Sequence, residues 1–179
     1  MTDENLMLHV RDGNLDLASQ LYDRYNIIVY NFFLHLCFNK ELSQDLMQNV
    51  FFRIIKYRRS YKPGHMFRSW IFRIARNVFS DHMKRNSALQ SNFIDLDDLN
   101  LSVDSRIDDL EKAERIKNLQ TALTMIPREH REVLILKEYQ RLKYKEIADI
   151  LNCSENTVKG KVFRAISSLR KAFFTMENK

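Results

Sequence analysis

Residues 144–163 read Tyr144-Lys-Glu-Ile147-Ala148-Asp-Ile-Leu151-Asn152-Cys-Ser154-Glu-Asn156-Thr-Val158-Lys159-Gly-Lys161-Val162-Phe163. A small residue, Ala148, falls where two helices must cross closely. Asn152 stands where a turn needs a residue that tolerates a left-handed backbone. Ile147, Leu151, Val158 and Val162 supply an apolar seam between the two helices. Ser154 is a good N-cap for the second helix, whose outward face then carries Asn156, Lys159, Lys161 and Arg164. An ordinary helical hairpin with a charged outer face would not need the small, turn and seam residues at this spacing. The spacing predicts a helix-turn-helix, and such a second helix fits the major groove of duplex DNA with its first turns at the base edges.

Working outward, the chain of 179 residues has a net charge of +6 and a pI near 9.3, which favours polyanionic partners. Charged residues make up 29% of it, and no apolar run reaches the roughly 18 residues of a spanning helix. Ile27 to Phe38, the most apolar stretch, is interrupted by Asn31 and His35 and reads as a buried helix. The acidic N-terminus lacks a signal-peptide pattern. Cys37 and Cys153 are lone and far apart, which fits a reducing cytoplasm rather than a disulfide framework or a zinc site. Only 3 Gly and 2 Pro, with long helical periodicities, predict an all-α protein.

Charge divides the chain. Arg53 to Arg85 holds ten basic residues against Asp81 alone, whereas Asp95 to Glu114 holds eight acids against Arg106 and Lys112. The expected organisation is a helical domain at 1–86, an acidic linker at 87–108 and a smaller helical domain at 109–179 containing the helix-turn-helix. The acidity of the linker has two readings: a solvated connector, or a mimic of a nucleic-acid strand lying in a partner's basic channel.

Within the first domain, residues 6–36 predict two helices parted near Asp12-Gly13-Asn14, and Ser43 is expected to cap a helix over 44–58. Its apolar members Leu46, Val50, Phe51, Ile54 and Ile55 share a side. Lys62-Pro63-Gly64 breaks the chain. Over 66–84, Phe67, Trp70, Ile71, Ile74 and Val78 define a buried stripe, and Arg68, Phe72, Arg73, Arg76 and Phe79 lie on the other side. Aromatics interleaved with arginines suit a single strand, with bases stacked on rings and phosphates held by cations. Phe72 and Phe79 could equally pack against another helix. Pro127 divides the second domain into two helix pairs.

These residues resemble a known family. Asp45-Leu-Met-Gln48-Asn-Val-Phe51, Phe67-Arg-Ser-Trp70-Ile-Phe-Arg-Ile-Ala-Arg-Asn77 and Asp81-His-Met-Lys-Arg85 are similar to region 2 of bacterial RNA polymerase sigma factors of the extracytoplasmic function (ECF) group. Ile126-Pro-Arg-Glu-His-Arg131, Glu146-Ile-Ala148 and Asn156-Thr-Val-Lys159 with Arg164-Ala165 resemble region 4 of the same group. The resemblance implies that Asp45, Gln48 and Asn49 dock on the β′ clamp helices of core polymerase, Asn49 standing where the family has glutamate. It implies that Arg53, Tyr61, Lys62 and Asn77, with the arginines Arg68, Arg73 and Arg76, hold the single-stranded −10 element. Asn156, Thr157, Lys159, Gly160, Lys161, Phe163 and Arg164 would contact the −35 duplex, Gly160 replacing the family's frequent serine and Phe163 having inward packing as its alternative. Further implied partners are the polymerase β flap and an anti-sigma factor, with no membrane insertion.

Catalysis is not expected. The five histidines are scattered without metal-ligand spacing, no glycine-rich phosphate loop is present, and no cofactor is implied. Strand opening must then draw on binding energy alone, by trapping bases that leave the stack. A stand-alone helix-turn-helix regulator is the competing class. It would need a dimerisation surface and palindromic sites, and the sequence has neither a coiled-coil heptad nor a ligand domain.

Overall fold

The computed structural model describes residues 1–86 and 110–177. The described residues are mostly helical, with no strand among them. The helices run α1 (Asp3–Arg11), α2 (Ala18–Cys37), α3 (Lys40–Lys56), α4 (Phe67–Asn86), α5 (Leu110–Met125), α6 (Arg128–Leu134), α7 (Tyr144–Leu151) and α8 (Glu155–Glu177). Tight 3-10 turns precede α2 and follow α3, and a π-helical segment, Ile135–Tyr139, continues α6. The expected acidic linker at 87–108 lies outside the described residues.

Helix α1 ends where expected, and Gly13 turns the chain with a φ of 115°. At its other end Asp3 pairs with Arg24 at 2.6 Å and accepts from the Tyr25 hydroxyl at 2.6 Å, fixing α1 against α2. Glu4 reaches further, its carboxylate accepting from the Phe67 N–H at 3.2 Å. A carboxylate at the first turn of α4 meets the positive end of that helix. The start of α4 is therefore capped from a residue 63 positions away in the chain.

The cap of α3 differs from expectation. The helix starts at Lys40, with Asn39 as N-cap accepting from the Leu42 N–H at 2.8 Å. Ser43 lies one turn inside, buried, its hydroxyl donating to the Asn39 carbonyl at 2.5 Å. Asparagine caps as well as serine does, and the earlier of the two candidates wins because Phe38 turns the chain left-handed there (φ 54°).

Helix α4 settles the question of its second face. Phe72 and Phe79 are buried, Phe72 packing edge-on against Phe32 at 5.3 Å and Phe79 tilted against Phe33 at 6.4 Å. Neither ring is available to a base. The helix buries two adjacent stripes because α2 and α3 both lean on it. Phe67, Ile71 and Val78 are fully inside, with Trp70 and Ile74 half-buried at the margin.

Helices α5–α8 form the second group. Pro127 precedes α6, its carbonyl accepting from the N–H groups of His130 and Arg131. One apolar core runs without a break from α1–α4 into α5–α8.

Candidate nucleic-acid interface

Helices α7 and α8 make the expected helix-turn-helix. Asn152 closes α7 in the left-handed region (φ 51°, ψ 53°). The Ser154 hydroxyl accepts from the Thr157 N–H at 3.1 Å at the start of α8. Ile147, Val158, Val162 and Ala165 are buried, and Ala148 lets the helices approach. At 100° per residue, burial of 158, 162 and 165 puts Asn156, Gly160 and Phe163 opposite, with Lys159 on one flank of that face and Arg164 toward the other. Phe163 is 76% exposed, so it does not pack inward. Arg164 and Thr157 are also exposed, while Lys161 sits half-buried on the flank rather than on the outward face. Lys159 extends over the Tyr144 ring of α7 at 5.9 Å.

On α3, Asp45, Gln48 and Asn49 are all exposed and share a face. Phe52 extends it by one turn, 64% exposed, and Lys56 follows with its ammonium over the rings of Phe52 (5.8 Å) and Tyr57 (5.4 Å). The sequence reading passed over Phe52. Its signal was phase: it falls at i+4 from Gln48 and out of step with Leu46, Val50 and Ile54.

The expected single-strand residues are only partly brought together. Lys62, Arg73 and Asn77 are exposed. Tyr61 is 2% exposed, so it is not an open stacking platform. Its hydroxyl donates to the His65 carbonyl, and its ring packs against Trp70 at 5.2 Å and Phe67 at 6.3 Å. Tyr61 thus fastens the Lys62–His65 turn. Trp70, beside that turn, is half-buried. Arg53 is also engaged, donating to Asp81 at 2.8 Å and to Asn49 at 3.0 Å.

Two further arginines face the other half of the molecule. Arg68 donates to the Gln140 carbonyl at 2.5 Å, and Arg76 pairs with Glu132 at 3.1 Å. Burial pushes the Glu132 carboxyl up, opposed by Arg76 and Arg128. Arg128 lies over the Phe79 ring at 5.7 Å, and His35 stacks on Tyr139 at 4.0 Å. Arg131, 7% exposed, donates from Nε to Leu123 (2.8 Å) and from Nη1 to Leu36 (2.8 Å). Its Nη2 reaches Thr124 (3.1 Å) and Ile126 (3.3 Å), and the guanidinium covers Phe38 at 4.8 Å. The sequence motif Ile126–Arg131 contained Arg131 without assigning it this junction, and Glu132 follows it directly.

No group of His, Cys, Asp and Glu among the described residues is placed to hold a metal, and none of the described helices is long and apolar enough to cross a membrane.

Comparison with known proteins agrees with this layout. The family models for sigma-70 region 2 and sigma-70 region 4 match residues 21–89 and 116–169. The ECF RNA polymerase sigma factor SigM of Bacillus subtilis (strain 168) is 30% identical over 155 residues, spanning 86% of this chain and 93% of its own. RNA polymerase sigma factor CarQ of Myxococcus xanthus is 26% identical over 171 residues, 96% and 97% of the two chains. Among solved structures, CnrH in complex with the cytosolic domain of CnrY superimposes with a TM-score of 0.71 over 97% of both chains at 21% identity. The sigma factor RpoE from Bartonella quintana, in complex with the anti-sigma factor NepR, gives 0.66 over 86% of this chain and 94% of that one at 23% identity. At these identities the solved structures establish a shared fold.

Proposed function

Because the chain belongs to the ECF group of RNA polymerase sigma factors, which direct core polymerase to promoters and support transcription initiation, we propose how its residues divide that work. Residues 1–86 bind core polymerase and hold the −10 element, and residues 109–179 read the −35 duplex. Asp45, Gln48 and Asn49, extended by Phe52, present the docking face for the β′ clamp helices. Lys62, Arg73 and Asn77, with Arg68 and Arg76 when released, grip the unpaired strand, and Trp70 supplies the ring. Asn156, Thr157, Lys159, Phe163 and Arg164 meet the upstream duplex.

The observation that carries this reading is the outward face of α8. An exposed phenylalanine flanked by Lys159 and Arg164, on a helix braced from behind by a full apolar seam, is stable yet poorly matched to water. The major groove offers that face both thymine methyl groups and base-edge acceptors. The protein works in the cytoplasm, where polymerase and promoters are. A protein inhibitor that covers the polymerase-facing surfaces fits the company kept by CnrH and RpoE in their structures.

The test is co-purification with core polymerase, followed by transcription from a mixed promoter library. Arg164→Ala and Lys159→Ala should each cost roughly 1–3 kcal/mol of upstream recognition, while Asn77→Ala impairs opening. Rescue of Arg164→Ala but not Asn77→Ala by pre-melted DNA would invert the division.

A further inference from the structure

We infer that the cleft between α4 and the start of α7 binds a nucleoside polyphosphate, its base against Trp70 and its phosphates among cations drawn from both helical groups.

The cleft has a volume of about 540 Å³, within the range of about 300–1,000 Å³ that small-molecule sites occupy. Arg68 and Arg73 line it from α4, and Arg141, Lys143 and Lys145 line it from the turn and first residues of α7. Glu146 and Asp149 are the acids, so five cations meet two carboxylates and leave a surplus of three. Glu146 is already engaged, its carboxylate accepting from the Lys143 N–H at 2.7 Å. Among the described residues, Arg73, Arg141, Lys143 and Lys145 have no ion-pair partner. Like charges gathered in a cleft focus a field that concentrates anions. A nucleoside diphosphate carries about three negative charges at neutral pH, which matches the surplus.

Two features distinguish this cleft from a basic patch. The first is unmet hydrogen bonding on the α4 wall. Ser69 lines the cleft and is 6% exposed, and its buried Oγ has no hydrogen-bond partner. Arg68 donates from Nη2 to the Gln140 carbonyl, but its buried Nε is likewise unmet. Buried donors are nearly always satisfied, and a phosphate brings acceptors to a wall that lacks them. The second feature is Trp70, which lines the same cleft one turn from Arg73 and is held edge-on by Tyr61 at 5.2 Å. A ring beside cations suits a base and its phosphates together. Promoter binding does not account for the far wall, because Arg141, Lys143 and Lys145 have no part in the contacts proposed above. A ligand that touches both walls also stabilises the packed arrangement of the two groups.

The full chain tests the site, since Trp70 is the single tryptophan and lines the cleft. ADP should quench Trp70 fluorescence saturably, with half-saturation below about 1 mM, and should raise Tm. Inorganic pyrophosphate should raise Tm without quenching, and adenosine should do neither. Arg141→Asn with Lys145→Gln should weaken ADP binding about tenfold or more, the factor that one lost charge-assisted bond represents. Arg141 has a left-handed backbone (φ 52°), which asparagine accepts, and Lys145→Gln alone carries the test if the pair fails to fold. Lys117→Gln with Lys171→Gln removes the same charge from exposed positions outside the cleft, and screening should keep its effect on ADP within about twofold. Absence of saturable quenching up to about 1 mM overturns the site. Equal weakening by the two pairs of substitutions also overturns it, because binding would then follow overall charge. A single-stranded −10 oligonucleotide that depends on Arg141 and Lys145, where ADP does not, makes the cleft a strand site and overturns the nucleotide reading. Asn77→Ala, outside the cleft, reads the −10 assignment separately.

Discussion

Replacing Arg131 with methionine is the most demanding test of how the second helical group is held. The guanidinium sits where two helix ends meet, donating to Leu36 at the end of α2 and to Leu123 and Thr124 at the end of α5, with Ile126 just beyond. Those carbonyls have no partner within their own helices, and a cation at a helix C-terminus also meets the negative end of the macrodipole. Burial opposes the charge, pushing the guanidinium pKa down to about 10, so the group is still charged at neutral pH. Each charge-assisted bond contributes about 1.5–3 kcal/mol and the bonds are not additive. Counting the two at 2.8 Å fully and the forked pair as one weak bond, Arg131→Met should cost about 3–5 kcal/mol. That is a large part of a total stability of about 5–15 kcal/mol. Arg131→Lys keeps the charge but not the fork, and should cost about 2 kcal/mol. Urea unfolding followed by circular dichroism measures the total, and fluorescence of Trp70, the single tryptophan, reports the cleft where α4 meets the second group. A methionine variant within about 1 kcal/mol of the parent would show that water satisfies those carbonyls equally well, and the two-helix junction would lose its explanation.

Other consequences are more local. Gly160 lies inside α8, and a Cβ there would meet only the Arg164 guanidinium, at 3.7 Å. Gly160→Ala should therefore stabilise the protein by about 1 kcal/mol and raise Tm by about 2–4 °C; an unchanged Tm contradicts the propensity argument, and a raised Tm with lost duplex binding marks a close approach of DNA to this backbone. Asp45→Lys should leave the fold intact and abolish binding to core polymerase, while Phe52→Ala should weaken it about 30-fold if the ring is an interface anchor; both are read by titration against labelled core enzyme. Burial holds His35 below the usual imidazole range, so the unfolded chain binds its proton more tightly. The sign follows: stability is complete above the unfolded pKa of about 6.5 and falls as the pH drops through it. His82 is lowered too, and Glu132, raised by burial, pulls the other way. The comparison of His35→Gln with the parent between pH 7 and 5.5 isolates the group, and equal slopes would exclude it.

The helix-turn-helix was legible because its determinants are local. Asn152, Ser154 and Ala148 each act within a few residues, and the structure places all three as their chemistry requires. The docking face of α3 was legible for the same reason, being the polar remainder of a periodic helix. Phe72 and Phe79 misled because periodicity marks one apolar stripe and cannot tell how many neighbours a helix has. With α2 and α3 both against α4, two stripes are buried. Tyr61 misled differently: an aromatic beside a proline-glycine turn suits a base or a core, and only the Phe67 and Trp70 rings decide for the core. The contacts between the halves were beyond reach. Arg68 meets Gln140 across 72 residues and Arg131 meets Leu36 across 95, and no spacing rule extends so far.

The π-helical turn at Ile135–Tyr139 gives this chain an unusual handle on its own history. Its Gln140 N–H closes on the Ile135 carbonyl, five residues back, so the turn holds one residue more than an α-helix would. Such widenings are tolerated as single turns inside otherwise regular helices. Loss of one codon here would let the ladder tighten to α with the following chain near its present phase, because the widened turn already absorbs the extra residue, and would shift the Gln140 carbonyl against Arg68. A lineage could thus retune the grip between its two halves by a three-base deletion, leaving every side chain that meets polymerase or promoter unaltered in identity.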